Sequence, residues 1–161
     1  MYLSLVVLAG VTALYAGYNL LVKVSSGYVP DTATTPILAT ISLQAAALAV
    51  SLAFATGLVV HGGHVLGVSR TAVLWAVAAG LCIGAAEIGY FYLFRGFGGG
   101  EPMEANVAIP VIVSGAIVLT VILSWLVLRE PFTWARLLGA VLVAGGVVVL
   151  FADSARTASG P

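Results

Sequence analysis

One acidic side chain lies deep inside an apolar stretch of the sequence. Glu87 is part of the run from Ala72 to Phe94, far from either end of that run. A charge at bilayer depth costs at least a few kcal/mol, so such a residue usually faces a cavity or a polar partner. A carboxyl group that is neutral when dry and ionised when wet can bind a proton or a cation. We expect this role for Glu87; the alternative is a protonated side chain that makes one structural hydrogen bond.

Aromatic side chains share the face of the third run that carries Glu87. Helical spacing places Tyr90, Phe91 and Phe94 there. An aromatic wall beside a carboxylate can hold an organic cation. The same stripe is also typical of plain helix packing, so both interpretations stay open.

Polar residues also interrupt the first and fourth apolar runs. The amide of Asn19 must find a hydrogen bond in lipid, and with its tyrosine neighbours it could line a polar cavity or link helices. In the fourth run Pro110 frees a backbone carbonyl, and the resulting kink could serve a gate or only shape the bundle. The candidates are Tyr15, Tyr18 and Asn19 in the first run, and Asn106, Pro110 and Ser114 in the fourth.

The composition places these residues in a membrane. Of 161 residues, 61% are hydrophobic and 7% are charged, whereas soluble domains carry about 25% charged residues. About 20 apolar residues in a helix cross the hydrocarbon core. Five runs meet this need, and the predicted spans are 3–22, 37–60, 72–94, 105–128 and 132–151. We predict an all-α integral membrane protein with about five transmembrane helices, multi-pass in the plasma (inner) membrane.

Turn-forming residues separate the five runs. The joint Arg129-Glu130-Pro131 is so short that it predicts an antiparallel hairpin of the fourth and fifth helices. No segment looks like a second domain, so the helices form one domain over residues 1–152. We expect the tail over residues 153–161 to be disordered.

The basic residues near the helix ends set no preferred orientation. With five spans, each side of the membrane receives three of them, so the usual excess on the cytoplasmic side is missing. One set is Arg70, Arg129 and Arg136, and the other is Lys23, Arg95 and Arg156. Such a chain can insert both ways round, unless a few well-placed charges or a partner decide.

Other chemistries lack a clear sequence signal. His61 and His64 lie in a glycine-rich loop with no third ligand nearby, so we predict no metal site. No phosphate-binding loop, nucleophile motif or pair of acids at catalytic spacing indicates an enzyme or a cofactor. The net charge of zero gives no indication of a nucleic-acid partner.

The C-terminal part of the sequence resembles the drug/metabolite transporter (DMT) superfamily. Residues 122–131 (ILSWLVLREP) are similar to its penultimate helix, which ends in an acidic residue before a short turn. The last-helix pattern G-x-x-L-x-x-x-G-V then follows at Gly139, Leu142, Gly146 and Val147. Residues 22–28 (VKVSSGY) resemble the end of the first helix in small multidrug resistance proteins.

The resemblance implies one half of an inverted-repeat DMT transporter fold, as in EamA-type transporters. In the small multidrug family the last helix forms the contact of an antiparallel dimer, which makes Gly139, Leu142 and Gly146 the expected dimer contact. An antiparallel homodimer, or a heterodimer with a sibling half, is implied. That family's first-helix glutamate falls at Tyr15 and its binding tryptophan at Ile112, so we prefer the EamA interpretation.

These features predict a secondary active transporter of a small metabolite or amphipathic solute, which works by alternating access as a dimer. Glu87 would bind a proton or a cation as the coupling ion, and the polar candidates of the first and fourth runs would line the cavity. The small-molecule solute, this ion and membrane lipids are the expected partners. One alternative is a translocase for lipids or lipid-linked sugars of the same superfamily. Another is a non-transporting membrane subunit in which Glu87 pairs with a partner helix.

The balanced charges make a testable prediction about insertion. Single cysteines placed at either terminus should be labelled from both sides of the membrane in intact cells, because nothing in the flanking charge favours one orientation. Labelling of each terminus from one fixed side would rule out the antiparallel homodimer and leave a heteromeric or parallel assembly.

Overall fold

The computed structural model describes residues 2–30, 35–65, 67–96, 100–131 and 133–158, and from residue 153 onward it describes the backbone alone. Within these ranges the chain forms five helices and no strands. They are α1 (Tyr2–Gly27), α2 (Ile37–His61), α3 (Arg70–Arg95), α4 (Ala105–Leu126) and α5 (Trp134–Ala158). All five are long and apolar enough to cross a membrane, α5 over Trp134–Ala152. The predicted all-α membrane fold with five spanning helices is therefore confirmed.

Local capping groups determine where α3 begins and ends. Ser69 precedes the helix, and its Oγ accepts a hydrogen bond from the Ala72 N–H at 3.2 Å, which satisfies one of the free donors of the first turn. At the other end the Gly96 N–H donates to the Tyr92 carbonyl at 3.0 Å. Gly96 has a φ of 92°, which glycine adopts without the steric cost that a Cβ would bring.

The last two helices differ from the predicted spans at their C-terminal ends. α4 stops at Leu126, two residues before the predicted end. The chain turns at Arg129, which has a φ of 55°, and the Glu130 N–H donates back to the Ser124 carbonyl at 3.2 Å. α5 continues through Ala158. Residues 153–158, predicted as part of a disordered tail, are therefore helical, as their alanines and arginine favour. Residues 159–161, and Phe132 at the predicted start of the fifth span, lie outside the described residues.

The helices group into two compact units, and the first spans Met1–Pro102 with α1, α2 and α3. Within it, both α1 and α2 contact α3. The buried apolar side chains of this unit lie towards the C-terminal ends of α1 and α3, where Val22, Phe91 and Phe94 are at most 2% exposed.

The connection from α1 to α2 is held against the end of α3 by two hydrogen bonds. Tyr92 Oη donates to Thr35 Oγ1 at 2.7 Å, and Arg95 Nη2 donates to the Pro30 carbonyl oxygen at 2.6 Å. Backbone and side-chain polar groups that are paired in this way can remain near an apolar environment. The C-terminal end of α3 is thus fixed to the chain that leads into α2.

The second unit spans Met103–Pro161 and contains α4 and α5, which pack against each other. The connection between them is short, as the predicted hairpin requires. Arg136 Nη1 donates to the Pro131 carbonyl oxygen at 3.0 Å and lies 3.7 Å from Glu130 Oε2. Both charged side chains are about half exposed, so this ion pair contributes little to stability.

The burial of Phe91 predicts a measurable difference between two phenylalanines of the first unit. Phe91→Ala should lower the free energy of unfolding by about 3 kcal/mol, because it leaves a void among packed helices. Phe54→Ala should change it by less than about 0.5 kcal/mol, since Phe54 is 71% exposed. Unfolding by sodium dodecyl sulfate in mixed micelles, followed by circular dichroism, measures both. Equal losses for the two variants would contradict the packing described for α3.

Candidate functional site

A cavity of about 600 Å³ lies between the three helices of the first unit. Each helix supplies residues at helical spacing, so that one face of each helix lines the space. The lining residues are Leu14, Tyr15 and Tyr18 from α1, Leu43, Gln44 and Ala47 from α2, and Gly80, Ile83 and Glu87 from α3. This volume falls within the range of about 300–1,000 Å³ that is usual for small-molecule sites.

Glu87 is buried at the wall of this cavity. Its side chain is 3% exposed, and it lies about 12 Å along the helix from the end of α3 at Arg95. Among the described residues no ion pair reaches it, and Glu87 Oε2 has no hydrogen-bond partner. The sequence predicts that Glu87 lies at membrane depth. In the structure one of the two Glu87 carboxyl oxygens has no hydrogen-bond partner among the described residues.

Tyr18 is the polar neighbour of Glu87 across the cavity from α1. Both side chains line the same cavity. Their atoms do not meet the geometry of a hydrogen bond, however, and Tyr18 Oη is a second buried polar atom without a partner in the described part of the chain. Buried polar groups are paired in most native structures, and the exceptions ask for a ligand, a water molecule or a functional reason.

The three aromatic residues predicted as a wall beside Glu87, namely Tyr90, Phe91 and Phe94, do not line the cavity. The rings of Tyr15 and Tyr18 meet edge to face at 6.2 Å between centroids, and Tyr18 lies 6.5 Å from Tyr90. Tyr90 does not line the cavity and meets Phe94 edge to face at 5.4 Å. Phe91 is a packing residue at 1% exposure. The aromatic side chains next to the cavity are therefore the tyrosines of α1, with Tyr90 behind them.

A cation already occupies the far end of this aromatic series. Lys23 Nζ lies 5.2 Å from the centroid of the Phe94 ring and donates a hydrogen bond to the Phe94 carbonyl oxygen at 3.4 Å. Such a cation–π contact fixes the lysine near the end of the bundle. Lys23 thus connects the C-terminal parts of α1 and α3.

Glycine residues of α3 make room for the cavity and for α2. A Cβ added to Gly80 would meet nothing within 4 Å, and Gly80 lines the cavity. A Cβ on Gly84 would lie 3.3 Å from Gln44 Nε2, which is a tight contact. Gly80 and Gly84 belong to a row of small residues that is typical of helix packing, and here it also provides part of a cavity wall.

Gln44 is a polar cavity residue that was not predicted from the sequence. It is the one side-chain amide in the second apolar run, and this was the available signal. The hydroxyl residues Ser42, Ser51 and Thr56 of the same helix donate to backbone carbonyls four residues earlier. Among the described residues the Gln44 side chain makes no hydrogen bond, so its amide is available to a ligand in the cavity.

The remaining candidates lie elsewhere in the chain. Asn19 is buried in α1 at 6% exposure but does not line the cavity. In the second unit, Asn106 is exposed, Pro110 is half-buried, and Ser114 is buried with its Oγ donating to the Val111 carbonyl at 3.1 Å. These three residues belong to the second unit, and their role in a binding site stays a prediction.

The predicted dimer contact is exposed within the second unit. Leu142 is 67% exposed. A Cβ added to Gly139 or Gly146 would meet nothing within 4 Å. Neither finding tests whether a second chain packs there, and the dimer contact stays a prediction.

No group of three or more histidine, cysteine or acidic side chains is close enough to hold a metal ion among the described residues. His61 and His64 both line a separate cavity of about 400 Å³ at the end of α2. Two imidazoles do not complete a protein metal site of the usual three or four ligands.

The cavity predicts a difference in reactivity between two alanines of α2. After replacement of Cys82 by alanine, Ala47→Cys should react faster with a small methanethiosulfonate than Ala49→Cys. Ala47 lines the cavity and Ala49 does not. A thiol must meet water to form its reactive thiolate. Equal rates for the two variants in proteoliposomes would contradict a water-accessible cavity.

No protein-family model, curated protein or solved structure matches the chain. The resemblance to the DMT superfamily therefore stays a prediction from the motifs, and the cavity is the main structural indication of a function.

Proposed function

We propose that the chain is a secondary active membrane transporter of a small metabolite or amphipathic solute, coupled to a proton or cation through Glu87. The observation that carries this proposal is Glu87 itself, a side chain that lines a cavity of about 600 Å³ and keeps one buried carboxyl oxygen without a hydrogen-bond partner among the described residues. Placing an ionisable group within a spanning helix is costly, and in membrane proteins such groups mark substrate and ion pathways.

The position of the cavity supports transport over a fixed structural role. Transporters bind their substrates near the middle of the membrane, between helices that can move relative to one another. Here the cavity involves the middle part of α1 and α3 and the first half of α2. A purely structural glutamate would be expected to have its oxygens satisfied by neighbouring helices, whereas Glu87 Oε2 is unpaired.

The rim of the cavity supports the proposal that the chain works as a dimer. Leu14 and Tyr15 line the cavity and are 75% and 61% exposed, so one wall is incomplete. A second copy in inverted orientation, or a sibling half, would complete it. The odd number of spans and the balanced flanking charges fit such an arrangement, with Gly139, Leu142 and Gly146 as the proposed contact.

The same open rim favours a second candidate function. A cavity that opens sideways between helices can admit a lipid tail while its polar wall receives a headgroup. A translocase for lipids or lipid-linked sugars would need such a lateral opening. Lipid that co-purifies at fixed stoichiometry, and is lost with Tyr15→Trp at the rim, would favour this candidate.

The transport proposal is tested in proteoliposomes that contain a pH-sensitive dye. A panel of small metabolites, amines and amphipathic cations is added under an imposed pH gradient, with protein-free liposomes as the baseline. At least one solute should change the internal pH faster with the wild-type chain. Glu87→Gln should return the rate to the baseline, because an amide cannot exchange a proton or hold a cation.

Glu101→Gln is the matched control for this experiment. Glu101 is exposed and lies outside the helices, so its variant should keep the wild-type rate. pH-dependent transport that persists in Glu87→Gln would remove Glu87 from the mechanism. No response of the wild-type chain to any solute would contradict transport, and purification only with another protein would then favour a membrane subunit.

A further inference from the structure

The two unpaired atoms of the cavity define what a ligand has to offer. Glu87 Oε2 and Tyr18 Oη are buried and have no hydrogen-bond partner among the described residues. A carboxylate oxygen is an acceptor, and a phenol oxygen can accept as well as donate. A ligand that satisfies both atoms must therefore bring N–H or O–H groups, and next to a carboxylate it gains most by bringing positive charge.

The rest of the cavity wall is mostly apolar. Leu14, Leu43 and Ile83 line it from the three helices, with Ala47 and Gly80 leaving space between them. These walls favour a hydrocarbon body on the ligand and leave the charged group to the end that carries Glu87. Gln44 offers an amide on the side of α2.

No basic side chain of the described residues neutralises Glu87, since no ion pair to it is present. Lys23 is engaged at Phe94. The positive charge that balances an ionised Glu87 therefore has to come from a proton or from the ligand itself.

We propose that the cavity recognises a protonated primary amine on a short apolar body, with ammonium N–H groups donating to Glu87 Oε2 and to Tyr18 Oη. This inference rests on the proposed function, because it names the chemical class of the solute. A charge-assisted N–H···O bond brings nitrogen and oxygen to about 2.8 Å. A quaternary ammonium has no N–H group, and its methyl groups hold the nitrogen away from both oxygens, so it leaves the two buried atoms unsatisfied.

The test compares two probes of equal charge and chain length, n-hexylammonium and n-hexyltrimethylammonium. Binding is measured by calorimetry on the full chain in phosphatidylcholine nanodiscs at pH 7, where an alkylamine is protonated like a lysine side chain. Empty nanodiscs correct for partition into lipid. Hexylammonium should bind about tenfold more tightly than its trimethyl analogue, the difference expected when hydrogen bonds to a charged group are lost.

Two tyrosine variants identify the atoms involved. Tyr18→Phe removes one acceptor and should weaken hexylammonium binding several-fold while leaving hexyltrimethylammonium unchanged. Tyr28→Phe is the matched control: Tyr28 is 83% exposed and does not line this cavity, so its variant should bind like the wild type. Loss of hexylammonium binding in Glu87→Gln would show that Glu87 supplies the negative charge that binds the ammonium group.

Equal affinities for the two probes, a preference for the trimethyl analogue, or no binding of either would overturn the inference. The wild-type comparison does not depend on whether a variant folds. Failure of the amine preference together with pH-dependent transport in proteoliposomes would remove this substrate class and keep the proposed function. Amine binding without any transport would contradict the transporter and leave a binding site.

Discussion

The burial of one carboxyl group inside a membrane-spanning helix is the constraint on which this structure depends. Lipid cannot solvate Glu87, and its exposure is 3%. The helix therefore needs room and polar neighbours at this depth, and the surrounding residues provide both. Gly80 leaves open space on the same helix, and Tyr18 and Gln44 bring a hydroxyl and an amide from α1 and α2. The buried acid, the open space and the two polar side chains thus occur together in one cavity of the first unit.

The packing of the first unit is uneven along its length, which bears on the proposed transport function. Near the C-terminal ends of α1 and α3, Val22, Phe91 and Phe94 are almost fully buried. Hydrogen bonds from Tyr92 and Arg95 hold the connection between α1 and α2 against the end of α3. Towards the other end, most side chains of α1 and α3 are exposed. This difference between the two ends is compatible with the proposed alternating access, in which helices move around a fixed site.

Hydrophobic run length predicted the five spans, because lipid imposes a minimum helix length whatever the tertiary contacts are. Glu87 and Tyr18 were predicted for a related reason: polar groups in an apolar run are costly and therefore conspicuous. Gln44 carried the same signal, but the sequence alone does not show that its face of α2 is the one that meets α3, because this depends on packing. The helical residues 153–158 follow local helix propensity beyond the apolar run.

Infrared difference spectroscopy can show whether the Glu87 carboxyl group contacts the solute inside the cavity. Spectra of the full chain in bilayers are recorded before and after hexylammonium is added. We expect a change in a carboxyl band that Glu101→Gln retains and Glu87→Gln lacks, because the carboxyl group itself receives the ammonium. Difference spectra that are identical for the wild type and Glu87→Gln would contradict this contact.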